Sequence, residues 1–272
     1  MIGSSPHLAF DWLDATTAEM YARFLRALRA AEIPFLLGGA YAFARYTGID
    51  RHTKDIDVFI MHADLDRALE ALEATGCAVE RTHPHWLAKA YLGEDFVDVI
   101  YGSGNGVARV DEAWFAHALT DRVLGVSVQL VPPEEMIWQK SFVMERERFD
   151  GADVIHLLRA RAESLDWPRL LRRFGEHWRI LLTHLVLFGF VYPSETSRLP
   201  DGIMRELIGK LEQEQAAPLD LPRLCRGTLL SRQQYLPDIE QWGYMDARLW
   251  PDSTMSSGEI ADWTSAIDQD TD

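Results

Sequence analysis

The chain has little cysteine, a deficit of positive charge and no long apolar run. Of its 272 residues only Cys77 and Cys225 are cysteines, and no Cys-x-x-Cys occurs. A disulfide framework and a structural zinc site are thereby excluded, and a reducing cytoplasm is the expected setting. The most apolar run, residues 180–191 with His184 inside it, is too short to cross a bilayer and reads as a core helix. The N-terminus lacks the basic and then apolar build of a signal peptide, so no membrane association is expected. Lys and Arg number 27 against 42 Asp and Glu, a formal net charge of −15. Asp252, Glu259, Asp262, Asp268, Asp270 and Asp272 lie in a C-terminal stretch without Lys or Arg, so about −6 of that charge is terminal. A body at about −9 is a poor match for long nucleic acid, whose binding rests on Lys and Arg neutralising phosphates. Arg159, Arg161, Arg169, Arg172, Arg173 and Arg179 do cluster, and the expected role of that cluster is a solvated helix face.

What is present is enough apolar sequence, 47% of residues, to bury a substantial core in two lobes. Met20, Phe24, Leu25 and Leu28 recur at helical spacing, predicting a helix capped by Thr16 or Thr17 and running to Ala31. A short buried strand over residues 34–37 leads to the Gly38-Gly39 turn and a helix over 41–46. A strand containing Asp55 follows, then a helix from Asp64 to Thr75 stopped by Gly76. Residues 77–81, 86–92 and 95–101 read as strands, the last two a hairpin about Gly93-Glu94. After a loop over 102–106, the pattern predicts a helix over 111–119 and a strand or hairpin pair over 122–130. Helical character then dominates, over 133–146, 151–161, 167–190 and 201–215. The expected fold is α+β: a mixed sheet flanked by helices over residues 1–131, a mainly helical lobe over 132–250, and an acidic, disordered tail over 251–272.

The chemistry sits in three carboxylates. Residues two apart on a strand share a face, so Asp55 and Asp57 point with Phe59 to one side while Ile56, Val58 and Ile60 bury the other. Two adjacent like charges repel, and a divalent cation holds them ionised. Asp98, between Val97 and Val99, is a third carboxylate in apolar sequence and needs a partner. Gly38-Gly39 allows backbone N–H groups close to phosphates, with the positive end of the next helix behind them. Phosphoryl and nucleotidyl transfer rest mainly on positioning and charge neutralisation, for which three carboxylates holding two metals suffice. By contrast, His83-Pro84-His85 lacks a third ligand and reads as a polar turn. The Gly102–Gly106 segment lacks a Lys-Ser/Thr ending and reads as a flexible loop beside the third carboxylate's strand. The Arg-, Tyr- and Trp-rich segment from Ser231 to Arg248 reads as packing between lobes.

A Gly-Gly turn, then Asp-x-Asp, then a later single Asp resembles the signature of the DNA polymerase β superfamily of nucleotidyltransferases, over residues 33–158. The nearest branch is the small bacterial one that includes antibiotic nucleotidyltransferases and toxins of abortive-infection systems. The resemblance implies that Asp55 and Asp57 ligate two magnesium ions, and that Asp98 ligates one of them and accepts a proton from the acceptor hydroxyl. It implies an NTP donor whose phosphates are held by Gly38, Gly39, Arg51, Thr53 and Lys140, with Asp153 structural. The implied reaction is magnesium-dependent transfer of a nucleoside monophosphate to an acceptor hydroxyl with release of pyrophosphate. The acceptor is a small molecule, a protein side chain or an RNA end, the small molecule fitting the charge best. The family often carries Ser where this chain has Gly39, which leaves the phosphate contact there to the backbone. Two alternatives remain: a catalytically inactive nucleotide-binding or antitoxin-like protein of the same fold, and a haloacid-dehalogenase-type phosphatase. The second lacks its usual Gly-Thr, and its apolar run would precede the Asp pair.

Overall fold

The computed structural model describes residues 13–51, 55–217, 222–250 and 255–265. Two compact units divide the chain: Met1–Gly104 with Ala108–Pro132, and Asn105–Val107 with Pro133–Asp272.

The first unit opens with α1 (Ala15–Ala30), whose buried face carries Met20, Phe24, Leu25 and Leu28. Its cap lies earlier than Thr16 or Thr17. Asp14 Oδ1 accepts hydrogen bonds from the backbone N–H groups of Thr16 at 2.8 Å and Thr17 at 3.0 Å, leaving Thr17 inside the helix. There follow β1 (Leu36–Leu37), α2 (Gly39–Thr47), β2 (Asp55–Phe59), α3 (Leu65–Glu73), β3 (Ala78–His83), β4 (Leu87–Leu92), β5 (Asp95–Ile100), α4 (Glu112–Ala116), β6 (Leu119–Val123) and β7 (Val126–Leu130). The strands form one mixed sheet in the order β3-β4-β5-β2-β1-β7-β6. After β2 the chain crosses through α3 and the antiparallel pair β3–β4, so that β5 returns parallel to β2. Leu36, Leu37, Val97 and Val99 are wholly buried, as a central strand with both faces covered requires. The expected helix over 111–119 ends at Ala116, because Leu119 pairs with Leu130 in the hairpin β6–β7. The turn of that hairpin is Leu124-Gly125, both at positive φ, the combination that matches strand twist in a two-residue loop.

The second unit holds α5 (Pro133–Lys140), α6 (Gly151–Arg161), α7 (Trp167–Phe174), α8 (Trp178–Val191), α9 (Asp201–Ala216), β8 (Leu224–Cys225), α10 (Leu236–Glu240), β9 (Met245–Asp246) and α11 (Ser257–Ser265). The helix expected over 167–190 is two helices. Pro168 occupies the first turn of α7, where its missing N–H is no loss, and the break falls at Gly175, at φ +48°. Nor is the arginine cluster a uniformly solvated face. Arg169 is 6% exposed and donates to Glu134 and, at 2.7 Å, to Glu135 Oε2, while Arg173 Nε donates to Glu135 Oε1 at 3.0 Å. Arg172 and Arg179 are exposed, so only part of the cluster faces water. Of the segment expected to be a disordered tail, residues 255–265 are described and carry α11; the rest lies outside the described residues. No helix among the described residues is long and apolar enough to cross a membrane.

Candidate active site

The strand alternation expected from sequence is realised on β2, where Ile56 and Val58 are buried while Asp55 and Asp57 are half-buried. On β5, Val97 and Val99 are buried and Asp98 is half-buried between them. In the parallel ladder Asp57 stands opposite Asp98, and Asp55 opposite Phe96. Directly paired residues project to the same side of a sheet, so all three aspartates lie on one face of two adjacent strands.

The glycine turn closes on this face. Gly38 N–H donates to the Asp57 carbonyl oxygen at 3.0 Å. A β-carbon on Gly38 would collide with the Phe59 ring, and one on Gly39 would land on Asp57 Oδ2. Gly39 also holds φ +51°, a conformation that L side chains rarely adopt. The first turn of α2 therefore begins against the Asp57 carboxylate, where its N–H groups have no intrahelical acceptor. Phe59, next in line on the same face, stacks on Trp114 of α4 at a centroid distance of 5.7 Å, closing one end of the site with apolar contact.

Asp98 is perturbed by its surroundings. Burial pushes its pKa up to about 6, opposed by Lys89 and reinforced by the nearby Asp55 charge. Lys89 Nζ lies 3.3 Å from Asp98 Oδ1, yet that oxygen is buried and accepts no hydrogen bond. The Lys89 ammonium also sits 4.2 Å from the centroid of the Phe96 ring. Lys89 is a site residue that the sequence reading did not single out, although the signal was there. Counting outward from the Gly93-Glu94 turn pairs Leu92 with Asp95 and places Lys89 opposite Asp98.

The other expected site residues are spread more widely. Arg51 is exposed, with its guanidinium carbon 4.4 Å from the centroid of the Phe43 ring on α2. Thr53 lies outside the described residues. Lys140 belongs to the second unit, where its ammonium is 3.0 Å from Asp150 Oδ2 and 2.8 Å from Asp153 Oδ2. His83 and His85 stand near one another in the first unit, with ring centroids 6.4 Å apart. Among the described residues no group of three His, Cys, Asp or Glu side chains is gathered tightly enough to hold a metal ion as it stands. The donor chemistry nevertheless fits a hard divalent cation: three carboxylates on one face, one of them with a buried oxygen lacking a hydrogen bond, beside a cradle that admits no side chain.

The chain belongs to the family described as uncharacterised nucleotidyltransferase, whose model matches residues 14–188. Similar solved structures include the antibiotic-resistance factor ANT(2'')-Ia, 17% identical, with 75% of this chain and 96% of that one covered and a TM-score of 0.40. The lincosamide antibiotic adenylyltransferase LnuA, solved with lincomycin bound, is 13% identical, with 53% and 97% covered and a TM-score of 0.39. An antigenic nucleotidyltransferase-like protein from Paracoccidioides brasiliensis is 16% identical, with 68% and 93% covered and a TM-score of 0.44. No curated protein matches the chain.

Proposed function

We propose that the protein transfers a nucleoside monophosphate from an NTP to an acceptor hydroxyl, releasing pyrophosphate, with magnesium held by Asp55, Asp57 and Asp98. The observation that carries this reading is the register Asp57 opposite Asp98, with Gly39 packed against the Asp57 carboxylate. Magnesium suits an all-carboxylate donor set; when bound it neutralises phosphate oxygens and makes the phosphorus more electrophilic.

The chain's own groups account for the remaining work. N–H groups of the first turn of α2 bind the triphosphate, aided by the helix end. Arg51 and Thr53, which immediately precede β2, are further phosphate contacts in this reading. Lys140 is the candidate from the second unit, and to reach a phosphate it has to exchange one of its partners, Asp150 or Asp153. Asp98 takes the proton of the acceptor hydroxyl; the acceptor oxygen bonds to the α-phosphorus as the bond to the bridging oxygen breaks, and pyrophosphate leaves. On this reading residues 1–131 are the catalytic domain, 132–250 a helical C-terminal domain and 251–272 an acidic tail.

One observation favours a second reading. Lys89 already partly neutralises Asp98, as suits a nucleotide-binding protein of this fold that does no chemistry. Incubation with each labelled NTP, magnesium and pooled acceptors, comparing wild type with Asp57→Ala, decides between them. Label transfer that disappears in the variant supports the enzyme. Nucleotide binding without transfer supports the second reading, and binding and transfer both indifferent to Asp57 would sink the first.

A further inference from the structure

Lys89 stands in one row with the aspartates of the first unit. It is paired with Asp98 on β5, which is paired in turn with Asp57 on β2, so the three side chains project from one face of three adjacent strands. On the far side of Asp57, toward β1, comes Gly39, packed against the Asp57 carboxylate. The order across the face is therefore glycine turn, Asp57, Asp98, Lys89. At a strand spacing of about 4.8 Å, the Lys89 backbone lies about 10 Å from that of Asp57, on the side of Asp98 away from the turn. Its position is thus beside the third carboxylate and not beside the turn proposed to hold the phosphates.

Two attachments fix the ammonium there. Lys89 Nζ lies 3.3 Å from Asp98 Oδ1 and 4.2 Å from the centroid of the Phe96 ring, and that ring packs against Tyr91 with centroids 5.8 Å apart. The Lys89 and Asp98 side chains are 21% and 15% exposed, so water screens the pair weakly. Asp98 Oδ1 has almost no accessible surface, and a hydrated ion arriving from solvent does not reach it. The cation that serves this oxygen is the Lys89 ammonium, which leaves a metal only the other oxygen of Asp98.

Charge then sets the number of ions. Asp55, Asp57 and Asp98 together carry three negative charges when ionised and Lys89 carries one positive charge, so one divalent ion neutralises the face. A second divalent ion at Asp98 would sit close to a fixed charge of its own sign, in a setting where like charges repel more strongly than in water.

We propose that this site takes a single divalent ion, shared by Asp55, Asp57 and Asp98, and that the Lys89 ammonium holds the place of the second ion of a two-metal site. The ion's use in transfer rests on the nucleotidyltransferase reading above; the number of ions rests on the Lys89 contact alone. The test counts Mn2+ bound to the full-length protein at neutral pH, by equilibrium dialysis and by loss of the free-ion EPR signal. Wild type is expected to bind one ion per chain. Lys89→Met and Lys89→Gln, which remove the charge, are expected to bind two, and Lys89→Arg, which keeps it, one. Asp57→Ala is expected to weaken binding of the wild-type ion about tenfold or more. Thermal melts establish which variants are folded, and the two neutral variants differ enough in shape and polarity for one to serve if the other unfolds. Two ions on wild type, or none, overturn the proposal, as does a single ion on a folded neutral variant or an ion indifferent to Asp57→Ala. Nucleotidyl transfer by a wild type that holds two ions would discard the role of Lys89 and leave the nucleotidyltransferase reading intact. One ion on wild type, two on the neutral variants and no transfer to any acceptor would do the reverse.

Discussion

Gly39 and Asp57 compete for the same space: a β-carbon at position 39 would coincide with the Asp57 carboxylate, and the backbone of Gly39 already sits at φ +51°. A Ser here has both a conformational and a steric cost in this chain. Left-handed backbone costs a non-glycine residue about 1–2 kcal/mol, before the displacement of Asp57 is counted. Gly39→Ser is therefore expected to lower stability by about that amount in urea melts and to reduce nucleotidyl transfer by about a hundredfold or more. Wild-type transfer rates in Gly39→Ser would show that the turn relaxes freely and that its tight approach has no role.

Asp98 is held in its charged form at a cost. Its folded pKa, about 6, lies above the ordinary value of 3.8, so ionisation opposes folding once the pH rises above about 4, and the penalty is complete above pH 6. In metal-free protein Asp98→Asn is expected to be more stable than wild type at pH 8 by about 1–2 kcal/mol, less than the shift alone implies because Lys89 loses its charged partner. The advantage should vanish below about pH 4, where Asp98 is protonated both folded and unfolded, while transfer activity is lost at every pH. Denaturant titrations from pH 4 to 8 in the presence of a chelator measure this, and a variant destabilised throughout that range would contradict it.

Asp150 has the opposite sign. Burial alone would raise its pKa, but hydrogen bonds from Arg148 and the charges of Lys140 and Arg148 outweigh burial and bring it down to about 2. Its contribution to stability is therefore present above the unfolded value of 3.8 and is lost as pH falls from about 4 to 2. Asp150→Asn should cost about 2 kcal/mol at pH 7 and almost nothing at pH 2, read from urea midpoints at the two pH values. An equal cost at both would assign the effect to packing instead of charge.

Arg169 binds two neighbouring, buried glutamates, Glu134 and Glu135. Removing it leaves both without their main cation, so Arg169→Met is expected to destabilise the protein by about 3–5 kcal/mol. The triple variant Arg169→Met, Glu134→Gln, Glu135→Gln should recover part of that loss. Calorimetric melts of the two proteins make the comparison, and a single variant within about 1 kcal/mol of wild type would show that the cluster is not a buried charge network.

Much of the first unit was legible because its signals are local. Alternation around Asp55 and Asp57 located a half-exposed strand, and Val97-Asp98-Val99 another, since side-chain direction on a strand depends only on parity. Turn chemistry placed the hairpin at Gly93-Glu94. The helix boundaries that came out differently involve local competition: Asp14 outreaches Thr16 and Thr17 as a cap, and Gly175 divides what hydropathy alone joins into one helix. Arg169 escaped the reading because a charged residue in a helical segment looks solvated until its buried glutamates, some 35 positions earlier, are known to pack against it.

The sequence by itself determined that two carboxylates share a strand face, that a third lies in an apolar strand, and that a glycine turn stands ready upstream. Only the tertiary structure decided that Asp98 stands opposite Asp57, that Gly39 abuts the Asp57 carboxylate, and that Asn105 and Trp250 line one cavity. The division has a physical reason. Facing direction and turn preference are set by neighbouring residues, whereas strand register across a crossover and the walls of a cavity are set by packing between segments far apart in the chain.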